Sequence, residues 1–345
     1  MLAARRVTHG AASSTARRLL STGGPASVFR GVFPIMATPF HADESLDLGG
    51  FEKSVQFMAD AGADGCTVIG VLGESNRMTD AEREALINVA LGVSKGAGRE
   101  FPICVGTSHA GTAATAALSS MAQDLGAAAV MLTPTKEAAP ATDATLRDYF
   151  TRVAEGCPGL PIVLQDHPAS TQVFMSADLL VDICAALPSI ACIKLEAVPT
   201  PAKIAAIRKA WGGDKPPAGD CTILTGLGAL YGGFDMEQGT EGFMTGFAFP
   251  EILIAMNNAA QAGDMAKAHA LYQKFLPLLV FEQHPGVAVR KELYRLRGLI
   301  ECGHVRHPAP PLVAPAMAVA LAAQIERSLP GIDITKTLPP HILEL

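Results

Sequence analysis

Several features are scarce or missing in this chain, and each absence removes a class of protein. Its seven cysteines (66, 104, 157, 184, 192, 221 and 302) form no CxxC pair and lie mostly inside apolar runs such as GCTVIG, PICVG and ACIK. An odd count of this kind, with no secretory signal, excludes a disulfide scaffold and points to reduced, buried thiols. No apolar run reaches the ~18–20 residues that a membrane span needs. No GxGxxG follows the first expected strand, which removes the usual support for a dinucleotide site. Five of the nine histidines (His109, His167, His284, His304, His307) are dispersed and make no HxxE or HxH cluster, so neither a metal nor any other cofactor is expected. His304 and His307, in HVRHP, read as a loop between late helices. Basic charge is not in excess either. A net charge of −6 argues against nucleic acid or an anionic membrane as the main partner.

Acid is missing from one place, with none before Asp43. Residues 1–27 carry Arg5, Arg6, Arg17 and Arg18, four serines and three threonines. Spaced arginines, hydroxyls and no acid match a mitochondrial transit peptide, or a plastid one as the alternative. This segment is expected to stand outside the fold, and the protein to reside in the mitochondrial matrix.

The composition is that of an ordinary globular protein, 49 % hydrophobic and 17 % charged over the full 345 residues. From Arg30 onward an apolar strand, a turn and an amphipathic helix recur. The strands are expected at 32–40, 65–71, 101–107, 127–134, 160–166, 189–194, 221–226 and 241–247. Helices are expected at 47–61, from Thr79 onward, and at 111–125, 143–156, 176–187, 200–211, 227–238 and 250–262. The second opens on Thr79 with Glu82 three residues later, the capping-box spacing. The strands are continuous apolar runs, as parallel strands covered by helices should be. Eight such units over 28–262 predict an α/β fold, a (β/α)8 TIM barrel. Helical patterns without strands continue over 263–328 as a C-terminal helical extension, with a proline-broken surface tail at 329–345.

The chemistry is expected where strands end, at the mouth of such a barrel. The sixth strand, Ile190 to Ile193, stops on Lys194. An amine there has apolar neighbours, where desolvation disfavours the ammonium. A neutral amine attacks a ketone and forms a Schiff base, an electron sink for carbon–carbon chemistry. The bland alternative is a strand-end lysine reaching for solvent. The fifth strand ends in Gln165-Asp166-His167-Pro168, with acid/base side chains or simple turn chemistry before a proline. After the second strand, Gly70-Val71-Leu72-Gly73 lets backbone N–H groups approach a carboxylate. Thr38, Gly226 and Thr245, at the ends of the first, seventh and eighth strands, complete the expected substrate-binding set.

Taken together, these strand ends resemble the dihydrodipicolinate synthase / N-acetylneuraminate lyase family of pyruvate-type class I aldolases. The resemblance spans about 30–310 and rests on ATPF, GxxGES, VGTSHAGTAATAAL, MLTP, PIVLxxxPAST, IKLE, GFMTGFAFPE, VRKELYRLRG and HVRHP. It implies a barrel with a C-terminal helical extension, a homo-oligomer (usually a homotetramer built from dimers), and an imine between a 2-keto acid and Lys194. It also implies that Glu74 is a structural glutamate bonded to backbone.

The departures are as informative. Val71 and Leu72 stand where the family carries hydroxyls that hold the keto-acid carboxylate. Gln165 replaces the family's tyrosine proton shuttle, and a carboxamide cannot shuttle a proton as a phenol does. The tyrosine after the fourth strand is missing from TPTKEAAP, and Ser170 falls where the synthases hold a second carboxylate with arginine. The replacement acid/base groups are expected in the order Asp166, His167, Glu196. Strand alternation puts Glu196 on the same side as Lys194 if the strand runs that far. The chain is therefore expected to be a Schiff-base lyase of a 2-keto acid, by aldol chemistry or a related dehydration. The alternatives are 4-hydroxy-tetrahydrodipicolinate synthase proper and a keto-acid-binding barrel without turnover.

Overall fold

The structure, a computed structural model, describes residues 29–135, 141–213, 220–283 and 286–344. The expected transit peptide and His284 lie outside them. Eight parallel strands run in the order β1-β8-β7-β6-β5-β4-β3-β2. They are β1 (Gly31–Val32), β2 (Cys66–Val68), β3 (Ile103–Gly106), β4 (Ala129–Leu132), β5 (Ile162–Asp166), β6 (Ile190–Leu195), β7 (Thr222–Thr225) and β8 (Gly242–Phe243). A parallel bridge between Ile35 and Thr67 brings the first and second units together and closes the barrel. Except for β6, which extends one residue past its expected end, each strand is shorter than its apolar run, because the run continues into the loop while ladder pairing stops.

The helices fall where the periodicity puts them. They are α1 (Leu48–Asp60), α2 (Asp80–Gly96), α3 (Thr112–Leu125), α4 (Asp143–Gly156), a one-turn α5 (Pro168–Thr171), α6 (Ala177–Ala186), α7 (Thr200–Trp211), α8 (Gly232–Glu237) and α9 (Pro250–Gln261). Thr79 caps α2 and both halves of the capping box form, Thr79 N–H to Glu82 at 2.8 Å and Glu82 N–H to Thr79 at 3.3 Å. Helix α8 starts later than expected. The residues before it, Leu227, Gly228 and Ala229, are all left-handed, at φ 50°, 64° and 59°. A right-handed helix cannot begin through them.

Alternation along the strands sorts the core into two layers. Ile35, Cys104, Met131, Val163, Cys192, Leu224 and Met244 fill the barrel interior. Val68, Leu132, Leu164, Ile193, Leu195 and Ile223 face outward against the helices. The seven thiols are free, six of them buried.

Helices α10 (Met265–Gln283), α11 (Val287–Leu296) and α12 (Pro315–Ser328) form the extension. A latch of charges ties it to the barrel mouth. Lys291 pairs with Glu74 and donates to His304 O at 2.6 Å, while Arg306 N–H reaches Glu74 at 3.0 Å. The Arg306 guanidinium lies 4.1 Å over the Phe40 ring and clasps Glu82 at 2.6 and 3.0 Å. Glu74 is thus structural, bonded to backbone and to two cations besides. The last stretch is not a free surface tail. Leu338 is buried and its N–H donates to Glu251 at 3.1 Å, and Arg297 holds Ile334 O and Lys336 O at 2.9 Å each.

The latch has a pH signature. Arg306 holds the Glu82 carboxyl down at about 2, against an ordinary 4.5. A depressed carboxyl adds stability above its unfolded pKa and loses it as pH falls through the folded one. Melting temperature should therefore drop between pH 4.5 and 2, with about 1 kcal/mol due to this partly exposed pair. Glu82→Gln should flatten that part of the profile; an unchanged slope would remove the latch from the stability of the fold.

Candidate active site

The site begins with the alternation of β6. Cys192 faces the barrel axis and Ile193 the helices, so Lys194 faces inward, Leu195 outward and Glu196 inward again. Lys194 Nζ and Glu196 Oε2 stand 3.2 Å apart, at 4 % and 6 % exposure. The carboxylate is held at both oxygens. The Gln165 amide donates to Oε2 at 2.6 Å and Leu227 N–H donates to Oε1 at 2.9 Å. The second donor exists because of the left-handed turn after β7, which points Leu227 N–H back toward the axis. Gly226 is required there by space. A Cβ on it would lie 2.3 Å from Glu196 Cγ.

Burial pushes the Glu196 carboxyl up, but Lys194, then His167, Gln165 and Leu227 outweigh it, and the net direction is down. The group is an ionised base at neutral pH. Desolvation moves His167 the other way, below the usual imidazole value, so it is neutral there. His167 is half-buried; its Nδ1 lies 2.8 Å from Ser170 Oγ.

Lys194, Glu196, Gln165, His167 and Thr245 line one small cavity of about 50 Å³ together with Val71 and Leu72. The other expected residues frame it. In the turn after β2, Gly73 N–H bonds Gly70 O at 2.9 Å and Glu74 N–H bonds Val71 O at 3.1 Å. The N–H groups of Val71 and Leu72 are not used inside that turn and are the donors it can offer an anion. Thr38 Oγ1 donates to Gly73 O at 2.8 Å, which fixes this turn. Thr245 Oγ1 accepts Gly228 N–H at 2.7 Å.

Asp166 is not in the cavity, and here the expected order is corrected. It follows inward-facing Gln165, so its carboxylate points to the helix layer and pairs with Lys203 of α7. Lys203 also donates to Met175 O at 2.5 Å. Asp166 is wholly buried behind the sheet and reaches no substrate. Ile35, Gly228 and Gln283 line the cavity without having been expected. Gln283 comes from the end of α10, and no local signal marks a residue that the extension brings to the mouth.

A buried amine, an ionised carboxylate beside it and backbone donors across the cavity can form an imine and move a proton next to it. On this fold, that arrangement defines a class I, Schiff-base lyase. Comparison with known proteins agrees. The model of the Dihydrodipicolinate synthetase family matches residues 28–326. An L-2-keto-3-deoxyarabonate dehydratase from Azospirillum brasilense is 33 % identical over 304 residues, 85 % of this chain and 93 % of that one. A 4-hydroxy-tetrahydrodipicolinate synthase (synthase 2) from Streptomyces coelicolor is 32 % identical over 308 residues, covering 86 % and 93 %. The solved dihydrodipicolinate synthase of Rhodopseudomonas palustris superposes with a TM-score of 0.80 at 32 % identity, over 88 % of this chain and 98 % of that one. The chain belongs to the dihydrodipicolinate synthetase family, and it is a Schiff-base lyase acting on a 2-keto acid.

Borohydride reduction in the presence of pyruvate should place one adduct on Lys194, found by mass mapping, and none on Lys194→Ala. Glu196→Gln should still be trapped, more slowly, while turnover falls roughly 10²–10⁴-fold. Asp166→Asn should keep turnover within a few-fold and instead lower stability by about 1–3 kcal/mol, since it takes the charged partner from the half-buried Lys203. Because the Glu196 carboxyl is depressed, it stays ionised as pH falls through the usual carboxylate range. The acid limb of kcat/KM should therefore lie below pH 4.5. A limb near 6, or loss of turnover in Asp166→Asn alone, would overturn the assignment.

Proposed function

We propose that the protein is a Schiff-base dehydratase of a hydroxylated 2-keto acid, of the 2-keto-3-deoxy sugar-acid type. The observation that carries this is the Glu196 carboxylate 3.2 Å from the Lys194 amine, with Gln165 in the shuttle position. Glu196 first takes a proton from the Lys194 ammonium, and the free amine attacks the C2 ketone. Glu196 returns that proton to the carbinolamine hydroxyl, which leaves as water, so that a protonated imine and an ionised Glu196 remain. Glu196 then removes a proton from C3, giving an enamine whose electrons expel the hydroxyl on C4. The departing oxygen takes its proton from the carboxylic acid just formed, and hydrolysis of the imine frees Lys194. The net change is loss of one water. Proton donor and acceptor can be one group because C3 and C4 are adjacent.

The similarity to a keto-deoxy-acid dehydratase supports this reading. So does Ser170, which leaves the synthase reaction without an arginine for a second carboxylate. The test is incubation with 2-keto-3-deoxyarabonate. The expected result is one product of the same carbon number, lighter by one water, with no pyruvate. Pyruvate plus a two-carbon aldehyde would make the protein an aldolase; trapping without turnover would make it a binding barrel.

For the leader, the arginine-rich, acid-free composition of residues 1–27 supports import into an organelle. Fused to a fluorescent reporter, these residues should carry it into mitochondria; a reporter that stays in the cytosol would end that proposal.

A further inference from the structure

A hydrogen-bonded pair links the inner cavity to the surface outside it. His167 lines the cavity, and the Nδ1 of this ring meets Ser170 Oγ at 2.8 Å. Ser170 in turn lines a much larger groove outside, of about 470 Å³. The walls of that groove are hydroxyl-rich, with Ser75, Ser108 and Thr133 beside Ser170. One arginine borders it, and that arginine is committed. Arg83 donates to Ser75 O and lies 3.7 Å from Asp80. Among the described residues that line the groove there is no other arginine and no lysine, while Asp80 carries a carboxylate.

A second carboxylate on the substrate finds no uncommitted lysine or arginine among the described residues of the groove. A neutral hydroxyl meets matching partners. Ser170 Oγ also lies 3.2 Å from His167 O, so its proton can go to that carbonyl or to Nδ1. In the first case Nδ1–H donates to Ser170 and Nε2 accepts from the cavity; in the second Nε2–H donates into it. The pair can therefore serve a ligand hydroxyl in either sense.

Resting on the dehydratase reading above, we infer that the His167–Ser170 pair reads the uncharged, hydroxylated end of the substrate. The enzyme then accepts 2-keto-3-deoxy acids of five or six carbons with neutral tails and rejects those that end in a second carboxylate. The groove supplies the room for the longer tail that the inner cavity lacks. A site built to bond a hydroxyl discriminates strongly against a ligand that leaves its polar groups unpaired.

The test is steady-state kinetics of the full chain with 2-keto-3-deoxypentonate, 2-keto-3-deoxyhexonate and the C4-hydroxylated 2-keto-3-deoxy acid whose last carbon is a carboxylate. The two neutral substrates should have kcat/KM within tenfold of each other and at least 100-fold above the diacid. Ser170→Ala should cost the neutral substrates about tenfold, mostly in KM. Ser170→Arg should move the neutral-to-diacid ratio at least tenfold toward the diacid; if it does not fold, the alanine variant decides through KM. Preference of the native enzyme for the diacid, or an unmoved ratio and KM in the variants, overturns the inference. If the native enzyme traps no keto acid on Lys194, the Schiff-base reading itself falls and takes this one with it. Trapping and turnover without discrimination would remove only the role of His167 and Ser170.

Discussion

Everything at the barrel mouth depends on one buried ion pair, Lys194 with Glu196, two residues apart on the inward face of β6. A pair this buried is not itself a source of stability, because desolvating two charges costs about as much as their attraction returns. The surrounding groups have to offset that cost, and they do so with hydrogen bonds aimed at the carboxylate. Gln165 supplies one from β5 and Leu227 the other from the turn after β7. Holding Leu227 N–H in that direction requires two non-glycine residues, Leu227 and Ala229, in the left-handed region. Each costs of order 1 kcal/mol or more, a conformation that persists where the surroundings over-determine it. Three strand ends are thus constrained by one carboxylate.

The extension does the same for the opposite side of the mouth. Glu282 accepts Ala248 N–H and pairs with Arg290 at 2.5 Å, and Arg290 donates to Gly246 O at 2.8 Å. Both side chains are almost wholly buried, so the loop after β8 is tied to α10 and α11 by charge-assisted bonds with no competing water. Glu74, Lys291 and Arg306 tie the turn after β2 to the same extension. The turn that offers N–H groups to an anion is therefore rigid, although Val71 at its tip is exposed.

How much of this could be read from the sequence depends on the range of each interaction. The eight strand–helix units and the Thr79–Glu82 box were legible because they are local patterns of period 2 or 3.6 and of fixed spacing. Lys194 was legible from its strand end. Asp166 was misplaced because composition shows three polar residues in a row but not which of them faces the axis. That depends on Val163 pointing inward, which fixes Gln165 and His167 inside and Asp166 outside. Gln283 and the docking of Leu338 on Glu251 join residues far apart in the chain, and nothing near either one signals the contact. The one-turn helix at Pro168 is too short for any periodicity to show.

Exchanging a tyrosine shuttle for a glutamate beside the imine changes which reactions are easy. A phenol with a pKa near 10 is a weak acid, suited to passing protons along a relay, and a poor donor to a departing hydroxide. A carboxyl whose pKa is held below the ordinary range is the reverse. In the dehydration proposed above, once it has taken the C3 proton it is still a far stronger acid than a phenol, placed beside the carbon that loses its oxygen. The same depression makes it a weaker base, and the imine compensates by acidifying C3. Expelling water therefore calls for a strong local acid and an electron sink in contact, and β6 supplies both on a single face with one residue between them.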